Sequence, residues 1–517
     1  MRRALALLAC ATALLAAPSA ASAVTVAIGE QGRALMTWPS PSGLQFAERT
    51  AGGAFESPQT IAPANVYPAF LAAGPGTTAS VLAYDTGTTG LVTIRRPDQA
   101  PAFEAPSPLL QAPGVYVLHA AANARGDGAV LVRPGPGHLV LLTSVRGGPL
   151  ERPQQIATSS ETATVAVGGD GGVVVAWYEF TGTRGVRASL GTVDSPLGPP
   201  QRLSSGIFSD VEAALDDHGT ATIAFARTDE DHRSRGAELV ARRAGPDARF
   251  GAPRVVARGG PPSMGAGFAS FRLAAAGTTT ALAFDPNDAE GSLGVAIARG
   301  GGRFDRPQRP TPASRSFLMQ PFNPAVAVDR AGDVLLAYTL GIYGYPVHAT
   351  ERRAGSDRFT SPRVLSTLGH GGAPSAALLT DRTRLVAWDD GHGDMRYTTR
   401  LAGRRPDLTP PRASVVLLQG TERLLRASNT ARVRIRCSEA CLVTGRATLR
   451  TTTGRGIVGA GERVLRAGGS FVKRFAFDPA KRAGRARGGS ILRVTIDVEN
   501  ASGASRELVT QLRLARR

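Results

Sequence analysis

Five short segments of this sequence combine side chains of the types that line ligand sites. Each segment places tyrosine, phenylalanine, histidine or aspartate just after a short apolar run. Aromatic rings beside carboxylates would suit a carbohydrate or peptide ligand, because such sites combine apolar surface with a few oriented polar groups. The candidate ligand-binding residues are Tyr178, Phe180, Asp229, Asp231, Asp285, Asp288, Tyr343, Tyr345, Asp390 and His392.

Known catalytic and metal motifs are missing from the sequence. It contains no Gly-x-Ser-x-Gly, His-Glu-x-x-His, phosphate loop or paired-cysteine metal motif. The segment 285–290 offers several oxygen ligands but lacks the spacing of an EF-hand. The polar residues of 390–394 are flanked by glycine, which is ordinary hairpin chemistry. The sequence therefore predicts no catalytic residue, no metal site and no cofactor.

The loops that carry the candidate residues belong to a repeat. An apolar residue stands three positions before a proline eight times, and successive prolines lie 47 to 55 residues apart. These apolar-x-x-Pro steps are Phe55/Pro58, Phe103/Pro106, Leu150/Pro153, Leu197/Pro200, Phe250/Pro253, Phe304/Pro307, Phe359/Pro362 and Leu408/Pro411. A period of that size fits one four-stranded sheet, which cannot bury both of its faces alone, so the copies must stack on one another.

A second marker lies ahead of each proline, at the end of the second apolar run. It is occupied by Trp38, Tyr84, Arg133, Trp177, Phe225, Phe284, Tyr338 and Trp388, which include all three tryptophans of the chain. Such a shared position indicates one structural environment, most simply the space between adjacent sheets, where a large ring buries well. No window shows a sustained helical period with caps. We therefore predict an all-β protein with an eight-bladed β-propeller over 24–411, or a seven-bladed one if the first copy only completes the last.

The turns of this repeat differ in variability. In an antiparallel meander the first and third turns share one rim, and the second turn lies on the other rim with the connections between sheets. The first turns are short and rich in aspartate and glycine, as in 169–172 and 329–332. Most of the candidate ligand-binding residues fall in or next to the second turns. We expect binding on this variable rim, because variable loops on a fixed scaffold usually carry function.

The composition changes after Pro411. From Arg412 to the end there are 22 Lys+Arg and 7 Asp+Glu, so this region holds most of the net charge of +19. About seven strand-like runs follow, and Arg432, Arg434 and Arg436 alternate with apolar residues along one of them. This pattern predicts an immunoglobulin-like β-sandwich over 412–517. Its positive face could hold an anionic wall polymer or an acidic polysaccharide, whereas nucleic acid is not expected without interleaved aromatics.

The ends and the cysteines indicate export. Residues 1–23 have two arginines, an apolar run and Ala21-Ser22-Ala23, which is the pattern of a cleaved secretory signal. A lipoprotein signal ending at Cys10 is the alternative. Removal of the signal leaves Cys437 and Cys441, which we expect to form a short disulfide in an oxidising compartment. We predict a secreted or wall-associated monomer without a transmembrane anchor.

Both regions resemble a known class of proteins. The segment 325–362 and its relatives, the run Val433 to Cys441, and the segment 501–505 together resemble secreted actinobacterial repeat proteins. That class is similar to the sialidase-type, or Asp-box, propellers. In this chain Trp177 follows Asp170 by seven residues, whereas the Asp-box places tryptophan five residues after its aspartate. The resemblance implies the fold more than an activity.

The resemblance also defines an alternative function. A sialidase-like exo-glycoside hydrolase would need three arginines for the substrate carboxylate, a tyrosine nucleophile with a glutamate partner, and an acid/base aspartate. Tyr178 and Glu179 are adjacent in a strand and should point to opposite faces. A non-catalytic scaffold that binds a glycan, a cell-wall polymer or a protein at the cell surface is therefore the first hypothesis.

Overall fold

The computed structural model describes residues 24–111, 114–135, 137–182, 184–205, 207–228, 238–245, 249–259, 270–286, 291–312, 321–340, 346–367, 372–379, 381–390, 395–401, 411–451, 454–477, 489–500 and 505–514. The chain divides into two compact units. The first comprises the described residues within Met1–Gly341, Ala349–Pro362 and Gly372–Leu401, and the second those within Ile342–His348, Arg363–Gly371 and Ala402–Arg517.

Eight small antiparallel sheets follow one another from Val24 to Thr398 in the described residues, and the strands of each sheet pair in chain order. The first four sheets are sheet 1 with β1 (Thr25–Ile28), β2 (Ala34–Ser40), β3 (Gly43–Arg49) and β4 (Gln59–Ala62); sheet 2 with β5 (Val66–Ala73), β6 (Ala79–Asp85), β7 (Gly90–Arg96) and β8 (Ser107–Gln111); sheet 3 with β9 (Tyr116–Ala122), β10 (Gly128–Arg133), β11 (Leu139–Ser144) and β12 (Glu151–Ala157); and sheet 4 with β13 (Ser160–Val167), β14 (Gly172–Glu179), β15 (Gly185–Thr192) and β16 (Gln201–Arg202).

The other four sheets continue the pattern. They are sheet 5 with β17 (Ile207–Leu215), β18 (Ala221–Thr228), β19 (Glu238–Ala244) and β20 (Arg254–Arg258); sheet 6 with β21 (Phe271–Ala276), β22 (Thr279–Phe284) and β23 (Gly294–Arg299); sheet 7 with β24 (Pro321–Val328), β25 (Val334–Leu340), β26 (Val347–Arg352) and β27 (Arg363–Val364); and sheet 8 with β28 (Ser375–Leu378), β29 (Arg384–Asp389) and β30 (Met395–Thr398). Sheets 6 and 8 have three strands among the described residues, where the repeat predicted four.

The first turns follow from aspartate and glycine. In sheet 4 the amide of Gly168 donates to the Gly172 carbonyl at 2.9 Å, which closes the hairpin between β13 and β14. The Asp170 carboxylate accepts from the Gly172 amide, also at 2.9 Å. Gly171 has φ +88°, a conformation that a side chain would strain. A local side-chain acceptor and a glycine therefore set the turn, as the sequence predicted.

The first strands of the eight sheets contact one another in order. The contacts run β1 to β5, β9, β13, β17, β21, β24 and β28, and β28 contacts β1 again. At this closing junction the Ser375 hydroxyl donates to the Val24 carbonyl at 3.0 Å. The first strands therefore line the interior of a closed ring, and the second to fourth strands lie progressively further out.

Apolar side chains fill the spaces between neighbouring sheets. Trp177 is 1% exposed and packs with residues of sheet 3, and Phe225 packs with residues of sheet 4. Trp38 and Tyr338 occupy the corresponding places against sheets 8 and 6. Tyr84 differs because it packs toward the following sheet. Each sheet thus covers one face of its neighbour, which is why no copy is independent.

The apolar residue of each apolar-x-x-Pro step packs into the same spaces. Seven of the eight are described, and every one contacts the apolar cluster between its own sheet and the preceding sheet. They are Phe55, Phe103, Leu150, Leu197, Phe250, Phe304 and Phe359. The sequence period therefore marks a repeated packing contact at the outer edge of each sheet.

The second unit contains two sheets that share one core. Sheet 9 has the strand order β31 (Ala413–Leu417), β32 (Thr430–Cys437) and β35 (Ser470–Ala476). Sheet 10 has the order β34 (Gly454–Leu465), β33 (Cys441–Thr451), β36 (Ile491–Glu499) and β37 (Ser505–Arg513). Val433, Ile435 and Phe475 of sheet 9 pack against Leu492 and Val494 of sheet 10. Cys437 and Cys441 form the expected disulfide.

One helix departs from the expectation of strands alone. Helix α1 (Thr421–Ser428) lies between β31 and β32 and buries Leu425 in the core. Glu422 and Arg426 form an ion pair at 2.7 Å on its surface. Eight residues are too few to show a clear helical repeat of apolar residues in the sequence. Tertiary packing stabilises such short helices. Among the described residues no helix has the length and apolar character to span a bilayer.

Candidate functional site

Six of the ten sequence-predicted ligand-binding residues lie outside the described residues. They are Asp229, Asp231, Asp288, Tyr343, Tyr345 and His392. The other four follow or end the second strands of their sheets. Tyr178 and Phe180 belong to sheet 4, Asp285 to sheet 6 and Asp390 to sheet 8, so these sheets alternate around the ring.

These four residues are mostly buried. Tyr178 packs in the apolar cluster between sheets 4 and 5, and Phe180 packs against the same cluster. Asp285 is buried, and its amide donates to the Ser270 carbonyl at 2.9 Å. The buried Asp390 forms an ion pair with Arg396 at 3.4 Å. Tyr178 and Phe180 are therefore brought together by packing, whereas the two aspartates lie on other sheets.

Ionisable side chains lie on the first strands of sheets 3, 5 and 6, and two of them are in contact. Glu212 lies on β17 and Arg272 on β21, the first strands of sheets 5 and 6. Arg272 Nη1 donates to Glu212 Oε1 at 2.8 Å and to the Phe271 carbonyl, also at 2.8 Å. Val211 and Ala213 flank Glu212 and pack toward sheet 4, so Glu212 points the other way. We call Glu212, Arg272, Asp210 and His119 the axial cluster.

A β-bulge places Asp210 beside Glu212. The pairing of β17 with β18 passes from Phe208–Arg227 to Val211–Phe225, so β17 carries one extra residue. The Asp210 carboxylate accepts from the Val211 amide at 2.9 Å. Bulges redirect side chains and recur near functional sites. Corresponding irregularities occur in the first strands of sheets 2, 3, 4 and 7.

The two carboxyl groups hold protons unusually strongly. Burial raises the pKa of Glu212 to about 7; the Arg272 guanidinium lowers it and the Asp210 carboxylate raises it. Burial also raises the pKa of Asp210, against its bond from the Val211 amide and the charge of Arg272. Glu212 is only 7% exposed, so removal of water outweighs a single ion pair. The carboxyl of Glu212 therefore changes charge near neutral pH.

His119 contributes a neutral imidazole. Its Nδ1 accepts from the Val165 amide of sheet 4 at 3.4 Å, which leaves the proton on Nε2. Burial, together with the positive charge of Arg272, lowers the pKa of His119 to about 4. His119 belongs to sheet 3 and Arg272 to sheet 6, so the two residues lie on sheets that are not neighbours in the ring.

An ion pair bridges sheets 5 and 7 at the first-turn end of the ring. Asp217 Oδ2 in sheet 5 accepts from Arg330 Nε in sheet 7 at 2.8 Å and from the Gly277 amide in sheet 6 at 3.1 Å. A side chain at Gly169 in sheet 4 would meet the Asp217 carboxylate at 2.5 Å. The first turns of four sheets thus converge at this end. Asp217 lies in an Asp/Gly turn of the sequence, and no neighbouring residue indicates this bridge.

The axial cluster can bind an anion or transfer a proton. Arg272 has a half-exposed side chain and uses only Nη1 for the contacts described above, so its other donors can face a ligand. The His119 imidazole has an Nε2–H donor, and the carboxyl groups can accept hydrogen bonds from hydroxyl groups. Among the described residues no group of three metal-ligating side chains occurs. The arrangement suits a polar ligand that carries a negative charge.

Sequence reasoning missed this cluster, although a signal was present. The first strands are dominated by alanine and other small residues, so His119, Glu212 and Arg272 stand out as ionisable exceptions. The ten predicted ligand-binding residues lie in or next to loops instead. A groove of about 780 Å³ lined by Arg243, Arg254 and Phe304 lies away from these residues, on the outer strands of sheets 5 and 6.

Comparisons with known proteins give a limited result. No protein-family model and no curated protein matches the chain significantly. It is similar to the Dos1 propeller, with 9% identity, a TM-score of 0.43 and coverage of 74% of this chain and 93% of that one. A prolyl endopeptidase shows 10% identity and a TM-score of 0.43, over 71% of this chain and 54% of the endopeptidase, about half its length. An ulvan lyase of a polysaccharide lyase family shows 10% identity, a TM-score of 0.36, and coverage of 67% and 92%.

Proposed function

We propose that the chain is an exported, non-catalytic scaffold that binds a negatively charged extracellular glycan inside its ring. In this proposal residues 24–411 form an eight-bladed β-propeller and residues 412–517 an immunoglobulin-like sandwich. Eight sheets in contact order, with β28 touching β1, support the blade count. The division of seven strands into the sets β31-β32-β35 and β34-β33-β36-β37 supports the second assignment.

The observation that carries this function is the half-exposed Arg272 guanidinium held beside a carboxyl with a pKa of about 7. A guanidinium suits the carboxylate of an acidic sugar, because it can donate two parallel hydrogen bonds. When Glu212 takes up a proton, Arg272 loses its anionic partner and its charge is available to the ligand. Ligand binding should therefore strengthen as the pH falls through about 7.

The placement of the carboxyl groups favours binding over hydrolysis. A glycoside hydrolase flanks the scissile bond with two carboxyl groups. Asp210 and Glu212 instead project from one strand, and Arg272 already engages Glu212. The two carboxyl groups therefore approach a ligand from the same side of the ring.

One observation favours a second function, the sialidase-like exo-glycoside hydrolase. A general acid needs a pKa close to the working pH, and burial gives the Glu212 carboxyl a pKa of about 7. Arg272 would then hold the substrate carboxylate. This alternative predicts turnover that is lost in Glu212→Gln while binding remains.

The experiment combines glycan-array binding with turnover of fluorogenic glycosides by the purified chain at pH 5, 7 and 9. We expect selective binding of uronate- or sialate-containing glycans without turnover. Arg272→Gln should weaken it about tenfold or more, because a hydrogen bond to a charged group is lost. Arg358→Gln removes an exposed arginine of the same charge outside the ring and is the matched control. Equal binding by both variants would refute the axial site, and turnover sensitive to Glu212→Gln would establish the hydrolase.

A further inference from the structure

The outer face of sheet 9 carries a row of arginines. Along β32 the side chains of Arg432, Arg434 and Arg436 are exposed, while Val433 and Ile435 between them are buried in the core. On the neighbouring strand Arg474 is also exposed. The alternation of a half-buried strand therefore directs all four guanidinium groups to one side, which we call the basic face.

No acidic side chain among the described residues pairs with the basic face. Arg432 pairs directly across the sheet with Arg474, and like charges in that position are destabilising. None of the ion pairs among the described residues includes any of these four arginines. A fold that keeps such an arrangement gains nothing from it internally, so the arrangement indicates an external anion.

The other sheet of the same unit provides the contrast. On the outer face of sheet 10, Asp497 of β36 pairs across the sheet with Glu507 of β37. Arg446 on the next strand lies close enough to lower the pKa of Asp497, which burial and Glu507 raise. Positive and negative charges are mixed there. By contrast, the three strands of sheet 9 carry no acidic residue.

Apolar side chains complete the basic face. Val416 and Val472 pair with Arg434 from the two neighbouring strands, and they are 56% and 41% exposed. Residues two apart in a strand are separated by about 6.7 Å, and neighbouring strands by about 4.8 Å. The basic face is thus a flat grid of cations with small apolar surfaces between them. A flat grid suits an extended polymer better than a compact ligand.

We propose that the basic face binds an acidic polysaccharide, a linear polymer whose sugar rings carry carboxylates. The guanidinium groups would hold the carboxylates, and the valines would contact the C–H faces of the rings. Nucleic acid fits less well, because single strands bind by stacking on aromatic rings, whereas Phe471 and Phe475 of β35 pack toward the core. A bilayer fits less well, because interfacial binding needs larger apolar side chains than valine.

The test measures binding of the purified full chain to polygalacturonate, with neutral dextran as the uncharged polymer. The first variant is Arg432→Gln/Arg434→Gln/Arg436→Gln. The matched variant Arg446→Gln/Arg450→Gln/Arg493→Gln removes the same charge from the exposed outer face of sheet 10. Circular dichroism and thermal unfolding of both variants check that they fold.

We expect the first variant to lose about tenfold or more of its affinity for polygalacturonate at 50 mM salt, and the matched variant to lose less than about threefold. The slope of log affinity against log salt should become shallower by roughly 0.7 to 0.9 for each contacting arginine that is removed. The difference between the two triple variants should persist when Arg272→Gln is added to both, which separates this result from binding in the ring. Equal losses in both triple variants would refute a specific face, and so would tighter binding to polyphosphate or to vesicles containing phosphatidylserine.

Discussion

Replacement of Glu212 by glutamine tests whether the axial cluster is as strongly dehydrated as the structure indicates. The variant keeps the shape of the side chain and removes its charge. The ordinary pKa of 4.5 and the folded pKa of about 7 differ by about 2.5, which corresponds to about 3 kcal/mol. This is an upper figure, because any water that reaches the Glu212 carboxylate offsets part of the cost of its charge.

The sign of the effect follows from the direction of the pKa change. A folded pKa above the unfolded value means that the folded chain binds the proton more tightly. Relative to a neutral side chain, Glu212 therefore costs nothing below about pH 4.5, destabilises progressively as the pH rises to about 7, and has its full effect above that. Glu212→Gln should be as stable as the natural chain at pH 4 and more stable at pH 8.

Thermal unfolding of both proteins from pH 4 to pH 9 measures the difference. For a cooperative unit of about 390 residues, a difference of about 3 kcal/mol corresponds to a shift in melting temperature of about 4 °C. Glu151→Gln removes an exposed carboxylate on β12 and should show no such pH-dependent gain. A Glu212→Gln variant that is less stable than the natural chain at pH 8 would refute the reasoning, because it would show that the Arg272 pair outweighs dehydration.

Three further predictions concern stability. Trp177→Ala should lower the free energy of unfolding by about 3–5 kcal/mol, measured by denaturant unfolding, because it empties the space between sheets 3 and 4; an effect under about 1 kcal/mol would contradict that packing. Cys437→Ser/Cys441→Ser should lower the free energy of unfolding of the second unit by about 2 kcal/mol, because the disulfide closes a short loop. The same melting temperature of the natural chain with and without reductant would contradict this. Asp127→Ala should lower the free energy of unfolding by about 1–3 kcal/mol at pH 7 and by less at pH 3. The reason is that the buried carboxylate accepts a hydrogen bond from the Arg146 amide, and its pKa is lowered despite burial. A loss of stability that is independent of pH would contradict this hydrogen bond.

Local features of the chain were readable without the structure. Period-two apolar runs and Asp/Gly turns, such as the turn at Asp170, predicted the strands and hairpins because both signals act within a few residues. The spacing of the apolar-x-x-Pro steps predicted repeated sheets for the same reason. The disulfide and the alternating arginines of β32 were also predicted correctly. The six candidate rim residues outside the described residues remain predictions.

The helix and the axial cluster required the tertiary structure. Helix α1 is only eight residues long and is stabilised by burial of Leu425 against strands distant in the chain. Glu212 and Arg272 are 60 residues apart, and His119 is further still. No pattern among neighbouring residues in the sequence indicates that their strands line the same interior. The pKa of Glu212 is raised only because the assembled sheets exclude water from its carboxyl group. The sequence by itself determined the repeating sheets, whereas the closed ring decided which charged residues meet, because dehydration and pairing depend on neighbours that only folding supplies.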